Sequence, residues 1–406
     1  MNAQPAGRFR PDLAGALAVR LRRTPPGPLL AGREASVTFC PDRGEAATVE
    51  LHRGRLVGRR GVPATPATAT VRGSAEVLSA VLTGADSGIR AFLAGDITVR
   101  GDLALTLALD GLFSTTEPMP ERWPRADQIS AHGIATAYLD AGPREGRALV
   151  LLHGLGATNA SLLPLLWDLA QDYRVIAPDL PGFGASAAPR GTYSPAWFIP
   201  WLRDFCRQLD ATNPVLIGNS LGGRIALEAG LTRPKDYAGL VLLCPSPAFR
   251  RLRQWVPVVR VLRPGLARVQ FPVGHRFVVG AIRTMFAKPD RLPTAWYDAA
   301  ADEFLRVNAS PAHRVAFFAT MRAIYLDEAF GDRGFWTRLP SLTPPSMFLW
   351  GDRDRLVPSS FARHVDAALP ESPSIVLEDS GHVPQFEHPE RTAALVRGFL
   401  AGLPGR

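Results

Sequence analysis

Residues 214–232 restrict what this chain can fold into more tightly than any other stretch. The apolar run Pro214-Val215-Leu216-Ile217 leads into Gly218-Asn219-Ser220-Leu221-Gly222-Gly223 and then into the helical pattern Arg224-Ile225-Ala226-Leu227-Glu228-Ala229. A buried strand that turns into a helix through a glycine-bracketed serine has the sequence of a nucleophile elbow. The turn is so sharp that Ser220 must take a strained backbone, and Gly218 and Gly222 leave room for strand and helix to approach. Ser220 Oγ is therefore expected at the helix start. A serine hydroxyl is a weak nucleophile near neutral pH, so the elbow also requires a base and a carboxylate that orients it.

The elbow strand is one of a series. Residues 148–152, 174–177, 214–217, 239–243, 346–350 and 374–377 are short apolar runs separated by helical stretches. They predict buried strands, and their alternation with helices predicts an α/β class with a mostly parallel sheet. Functional groups then fall at the carboxyl ends of strands. His153-Gly154-Leu155-Gly156 follows the first of these runs, and its glycines let the Leu155 NH turn toward a developing oxyanion. The Leu221 NH, at the start of the elbow helix, is the second donor. Gly351-Asp352-Arg353-Asp354 follows Trp350, and Asp379-Ser380-Gly381-His382 follows Leu377 and Glu378. Acid and base thus lie just past strands. Asp352 competes with Asp354 for the acid, and His388, placed where the final helix starts, competes with His382 for the base. His153 is expected to brace the oxyanion loop by hydrogen bonding, and Asn219 to stabilise the elbow.

These loops and the order Ser, Asp, His resemble the α/β-hydrolase family over roughly residues 128–402. The segment Asp179-Leu180-Pro181-Gly182-Phe183-Gly184 matches that family's loop after its fourth strand. The resemblance implies Ser220 as nucleophile, His382 as general base and Asp354 as the carboxylate holding the imidazole. The family pattern Gly-x-x-Asp with a following apolar-Pro pair selects Asp354, through Gly351 and Val357-Pro358. Related folds that dehalogenate or open epoxides carry aspartate at the elbow, so serine favours acyl chemistry through a serine ester. That reaction requires neither a metal nor an organic cofactor.

A second unit precedes this one. The polar, proline-punctuated stretch 114–127 reads as a linker between residues 1–113 and a hydrolase domain at 128–406. Strands are expected at 35–39, 47–52, 55–59 and 67–71, and helices at 74–83 and 88–94, which makes a small α+β domain. Its ending, Phe92-Leu93-Ala94-Gly95-Asp96-Ile97-Thr98-Val99-Arg100-Gly101-Asp102-Leu103, resembles the sterol-carrier-protein-2-like family. That likeness implies an apolar tunnel and a lipid-binding or transfer role. The alternative is an accessory domain whose leucines fill its own core.

Between about 245 and 345 the strand pattern stops for a hundred residues, too long for a structureless loop and therefore a helical cap. From Phe249 to Leu292 it has ten basic residues against one acid, Asp290, interleaved with apolar side chains. Such a composition suits an interfacial segment, peripheral to a membrane, which admits a hydrophobic or lipid-like substrate. The alternatives are an ordinary solvated face and a site for an anionic substrate. Gly-Asn-Ser-Leu-Gly-Gly and Gly-His-x-x-Gln-x-Glu-His also resemble the meta-cleavage-product hydrolases, which split carbon-carbon bonds. Those enzymes usually carry tryptophan after the histidine, where this chain has Val383. The same segments are similar to monoacylglycerol lipase-like esterases. The carrier-like domain and the cap favour ester hydrolysis.

The formal charge of +9 over 406 residues permits attraction to phosphate, but the cationic residues concentrate in the apolar cap, not among stacking aromatics, so nucleic acid is not the expected partner. Cys40, Cys206 and Cys244 follow no metal-ligand spacing. The opening residues lack a basic region followed by an apolar one, and no run nears about 18 apolar residues. A cytoplasmic protein is expected.

Overall fold

Apolar runs become strands in both parts of the structure, a computed structural model that describes residues 13, 29–30, 32–110, 120–248, 256–270 and 272–404. The chain divides into two compact units, residues 1–120 and 121–406. Residues 114–119 of the stretch expected as a linker lie outside the described residues, but 120–127 do not. Residues 125–127 open a strand, because Arg125–Ala131 is a half-exposed edge segment whose polar residues mask it in sequence.

In the first unit, strands β1 (Ala35–Pro41), β2 (Ala47–His52), β3 (Arg55–Arg60) and β4 (Ala69–Gly73) are followed by helices α1 (Ala75–Thr83) and α2 (Gly88–Ala94). Strand β5 (Ile97–Gly101) and helix α3 (Leu103–Leu109) complete it. The sheet order is β3-β2-β1-β4-β5, with β1 and β4 parallel and the other pairs antiparallel. Period-two alternation turns Ala69 and Val71, and likewise Ile97 and Val99, toward the core. Gly101 has φ +89, and a Cβ there would lie 2.4 Å from the Thr68 carbonyl oxygen, so no larger residue fits. Phe39, Val71, Phe92, Val99 and Leu107 border a cavity of about 40 Å³.

The second unit begins with the antiparallel pair β6 (Arg125–Ala131) and β7 (Ile134–Ala141). Then come β8 (Ala148–Leu152), α4 (Leu163–Leu169), β9 (Arg174–Pro178), α5 (Phe198–Gln208), β10 (Val215–Asn219), α6 (Leu221–Thr232) and β11 (Gly239–Leu243). Helices α7 (Val256–Val261), α8 (His275–Arg283), α9 (Thr294–Ala309), α10 (Pro311–Leu326) and α11 (Phe335–Arg338) form the insertion. The chain ends through β12 (Ser346–Gly351), α12 (Ala362–Ala368), β13 (Ser374–Leu377), α13 (Pro384–Glu387) and α14 (Pro389–Ala401). The eight strands are ordered β13-β12-β11-β10-β8-β9-β7-β6, parallel from β13 to β9. Every residue of β8, β9, β10 and β11 is buried, as expected for parallel strands covered on both faces.

A buried ion network ties the elbow helix to the insertion. Arg224 on α6, almost fully buried, donates to Glu228 (3.2 Å) and to Asp327 just after α10 (2.6 Å), and stacks on the Phe335 ring. Arg338 on α11 makes a two-pronged contact with Glu228 at 2.9 and 2.8 Å. Burial alone would raise the Glu228 carboxyl, but the Arg338 and Arg224 guanidinium groups outweigh it and hold the group below its usual range.

Candidate active site

Ser220 joins β10 to α6 with φ +53 and ψ −110, a conformation L-residues rarely adopt. Strand and helix can approach so closely around it because Gly218 and Gly222 have no side chains. A Cβ on Gly218 would lie 2.3 Å from the Gly222 carbonyl carbon, and one on Gly222 would lie 2.1 Å from the Leu152 carbonyl oxygen. The half-buried Ser220 is fastened at both backbone ends. Its NH donates to Leu243 (3.0 Å), and its carbonyl accepts from Arg224 and Ser246 (3.0 and 2.9 Å).

His382 and Asp354 meet as a bonded pair. His382 Nδ1 donates to Asp354 Oδ2 at 2.7 Å, since a carboxylate only accepts. Asp354 Oδ1 accepts from the Leu356 and Val357 amides at 2.8 and 2.9 Å, so the acid is aimed by the turn that follows it. Both side chains are buried, and Nε2 is the imidazole nitrogen left outside this bond. Asp352 does another job: its Oδ1 accepts from the Ser380 NH (3.0 Å) and ties the acid loop to the histidine loop. His388 precedes α14, and its Nε2 contacts the Asp379 carbonyl (3.0 Å).

The elbow and the histidine loop are joined by Asn219. Its Nδ2 donates to the carbonyls of Leu243 and His382, both at 3.0 Å. Gly154 brings the loop after β8 against the elbow, for a Cβ there would lie 3.4 Å from Ser220 Cβ. Among the described residues no acceptor meets the Leu155 NH, and the Leu221 NH is the first of a helix, which lacks an intrahelical partner. His153 is fully buried, with Nε2 accepting from the Leu180 NH (2.9 Å) and Nδ1 donating to the Gly154 carbonyl (2.8 Å). Burial pushes its imidazole down to about 4, so it is a neutral brace for the loop.

Sequence reasoning missed the groups that hold the histidine loop from the insertion side. The His382 NH donates to the Met285 carbonyl at 2.7 Å. Glu387 accepts from the Gly381 and Ala287 amides, both at 2.7 Å, and burial raises its carboxyl. Its position three residues after the Val383-Pro384 pair carries no signal of a partner a hundred residues away. Phe304 on α9 and Phe317 on α10 lie over Gly156, which has φ +73 and would bring a Cβ within 2.9 Å of Phe317. The insertion therefore covers the candidate oxyanion loop.

Cys244, Asp354 and His382 place potential ligand atoms within 4.8 Å of one another. As a donor set they suit a hydrogen-bonded cluster better than a metal. Burial, then the Asp354 carboxylate, pushes the Cys244 thiol far up, and it donates to the Gly381 carbonyl (3.7 Å). The imidazole and carboxylate are bonded to each other.

A family model described as "Alpha/beta hydrolase family" matches residues 149–395, more than half of the chain. This protein belongs to the alpha/beta hydrolase family. A second model, which matches residues 13–119, is described as "Alkyl sulfatase C-terminal" and not as a sterol-carrier-protein-2-like family. The hydrolase is 30% identical over 259 residues to a pimeloyl-[acyl-carrier protein] methyl ester esterase of Aeromonas salmonicida, covering 63% of this chain and 96% of the relative. It is 28% identical over 285 residues to a 2-hydroxy-6-oxo-6-(2'-aminophenyl)hexa-2,4-dienoic acid hydrolase of Metapseudomonas resinovorans, covering 67% and 90%. Among solved structures it is similar to a bacterial membrane phospholipase A, with a TM-score of 0.58 and 25% identity over 80% of this chain and 95% of the other. Esterase-named relatives support an ester hydrolase kind of activity for this enzyme.

Proposed function

We propose that this hydrolase cleaves a carboxylic ester of a hydrophobic, lipid-like substrate through an acyl-enzyme formed on Ser220. The observation that carries the reading is the 2.7 Å bond from His382 Nδ1 to a fully buried Asp354, beside an elbow whose serine is held at φ +53. His382 Nε2 takes the proton of Ser220 Oγ as the hydroxyl attacks the ester carbonyl. The Leu155 and Leu221 amides receive the oxyanion. His382 then protonates the departing alcohol and activates water against the acyl-enzyme. Asp354 keeps the proton on Nδ1 and stabilises the imidazolium. The aromatic residues of α9 and α10 over Gly156, and the phospholipase and methyl esterase among the relatives, support an apolar acyl group.

Turnover of p-nitrophenyl acyl esters of graded length tests this reading. Ser220→Ala is expected to lose about 10⁴-fold or more of kcat. Equal turnover by wild type and variant would overturn it. Carbon-carbon bond cleavage is the second reading, supported by the dienoic acid hydrolase among the relatives. Loss of a dienoate chromophore, without ester turnover, would favour it. A lipid-transfer role for residues 1–113 has less support. Among the described residues of that unit, the cavity bordered by Phe39, Val71, Phe92, Val99 and Leu107 is small, about 40 Å³.

A further inference from the structure

The surface made by residues 256–270 and 272–283 combines three properties. Several of its large apolar side chains are exposed, although Val278 is buried: Val261 is 74% exposed, Leu266 66% and Phe277 73%, with Val258, Leu262 and Val269 also exposed. Singly, exposed apolar residues mean little, but a run of them on one segment marks a docking face. The second property is charge. Arg260, Arg263, Arg268 and Arg276 are exposed on the same segment, and among the described residues none has an ion-pair partner. No Asp or Glu occurs between Val256 and Arg283.

The third property is that the backbone behind this face is already bonded. Arg322 on α10 donates to the carbonyls of Val259 (3.1 Å) and Arg260 (2.7 Å). Arg314, a buried residue on the same helix, donates to those of Ala267 (2.9 Å) and Arg268 (2.7 Å). Four carbonyls that would otherwise demand water are thereby satisfied from within. A segment so anchored can leave water without stranding those acceptors, which is the main penalty against moving irregular backbone toward hydrocarbon.

We propose that this face docks the protein on the surface of an anionic lipid bilayer. The arginines meet lipid phosphates while Val261, Leu266 and Phe277 enter the boundary between headgroups and acyl chains. Charge complementarity selects this occupant: a second copy would bring the same unpaired cations against each other. No described helix is long and apolar enough to cross a membrane, so the contact is peripheral. Helix α8 ends two residues before Met285, whose carbonyl holds the His382 NH, so the docked segment runs directly into the support of the histidine loop. The inference does not depend on the reaction proposed above.

Co-sedimentation of the full chain with large vesicles tests it, using phosphatidylcholine alone and phosphatidylcholine with about one third phosphatidylglycerol. Wild type is expected to pellet with the anionic vesicles, to be released by high salt, and to ignore the neutral ones. Each arginine contributes roughly fivefold to partitioning, so R260E/R263E/R268E/R276E is expected to bind more than about a hundredfold more weakly. L266S/F277S, which keeps every charge, is expected to lose more than about tenfold. An unchanged thermal midpoint for both variants shows that folding is intact. No binding by wild type, equal binding by either variant, or equal binding to neutral vesicles would overturn the proposal. So would a concentration-dependent dimer that L266S/F277S abolishes while vesicle binding persists.

Discussion

Asp352 and Asp354 share one loop, yet only one carboxylate reaches an imidazole. Asp354 points inward because its own turn supplies two amide donors, and Asp352 is committed to the Ser380 NH. The two are expected to separate sharply in kinetics. Asp354→Asn should lower kcat for a short acyl ester by about 10³- to 10⁴-fold, since the amide favours the wrong tautomer of His382. Asp352→Asn, whose carbonyl can still accept from Ser380, should change it by less than about tenfold. His153 offers a test in pH. Its folded imidazole is depressed from 6.5 to about 4, so between those values the unfolded chain binds the extra proton. Its contribution to stability is therefore complete above pH 6.5 and is lost as the pH falls toward 4. It amounts to about 3 kcal/mol. Urea midpoints of wild type minus His153→Gln should show that slope, and a flat difference would contradict it. His153 was legible in sequence as a brace because it stands beside the glycines of the oxyanion loop. Its depressed protonation was not, because burial is set by residues far along the chain.

At the scale of elements, the strand and helix of the elbow touch only because two positions lack a Cβ. Gly222→Ala would drive a methyl into the Leu152 carbonyl and is expected to cost more than about 3 kcal/mol in a urea titration. The Arg224, Glu228, Asp327 and Arg338 network makes a different prediction. Glu228→Gln leaves the buried Arg224 with one carboxylate partner fewer, and should lower stability by about 3 kcal/mol. Strands β8, β10 and β11 were readable because a parallel strand covered on both faces is apolar at nearly every position. Edge strand β6 was not, because half of its surface is solvated and its sequence looks like a polar linker. The partners of Glu387 were equally hidden, since no local pattern announces a bond to Ala287.

For the whole molecule, the division into residues 1–120 and 121–406 places Ser220, Asp354, His382, Leu155 and Leu221 in one unit. A chain beginning at Glu121 is expected to keep short-chain ester turnover within about threefold of the full protein, because every group that aims the candidate triad belongs to that unit. A loss beyond about a hundredfold would mean that the first unit completes the site. The six parallel strands β8 to β13 and the elbow were legible in sequence, because backbone sterics and apolar periodicity act over a few residues at a time, and the family was legible through the resemblance of the loops that follow those strands. Tertiary structure decided the rest: which amide Asp352 serves, which insertion carbonyl holds the His382 loop, and which apolar residues of 256–270 and 272–283 stay in water. Those outcomes depend on distances between segments tens to hundreds of residues apart, and no local spacing encodes them.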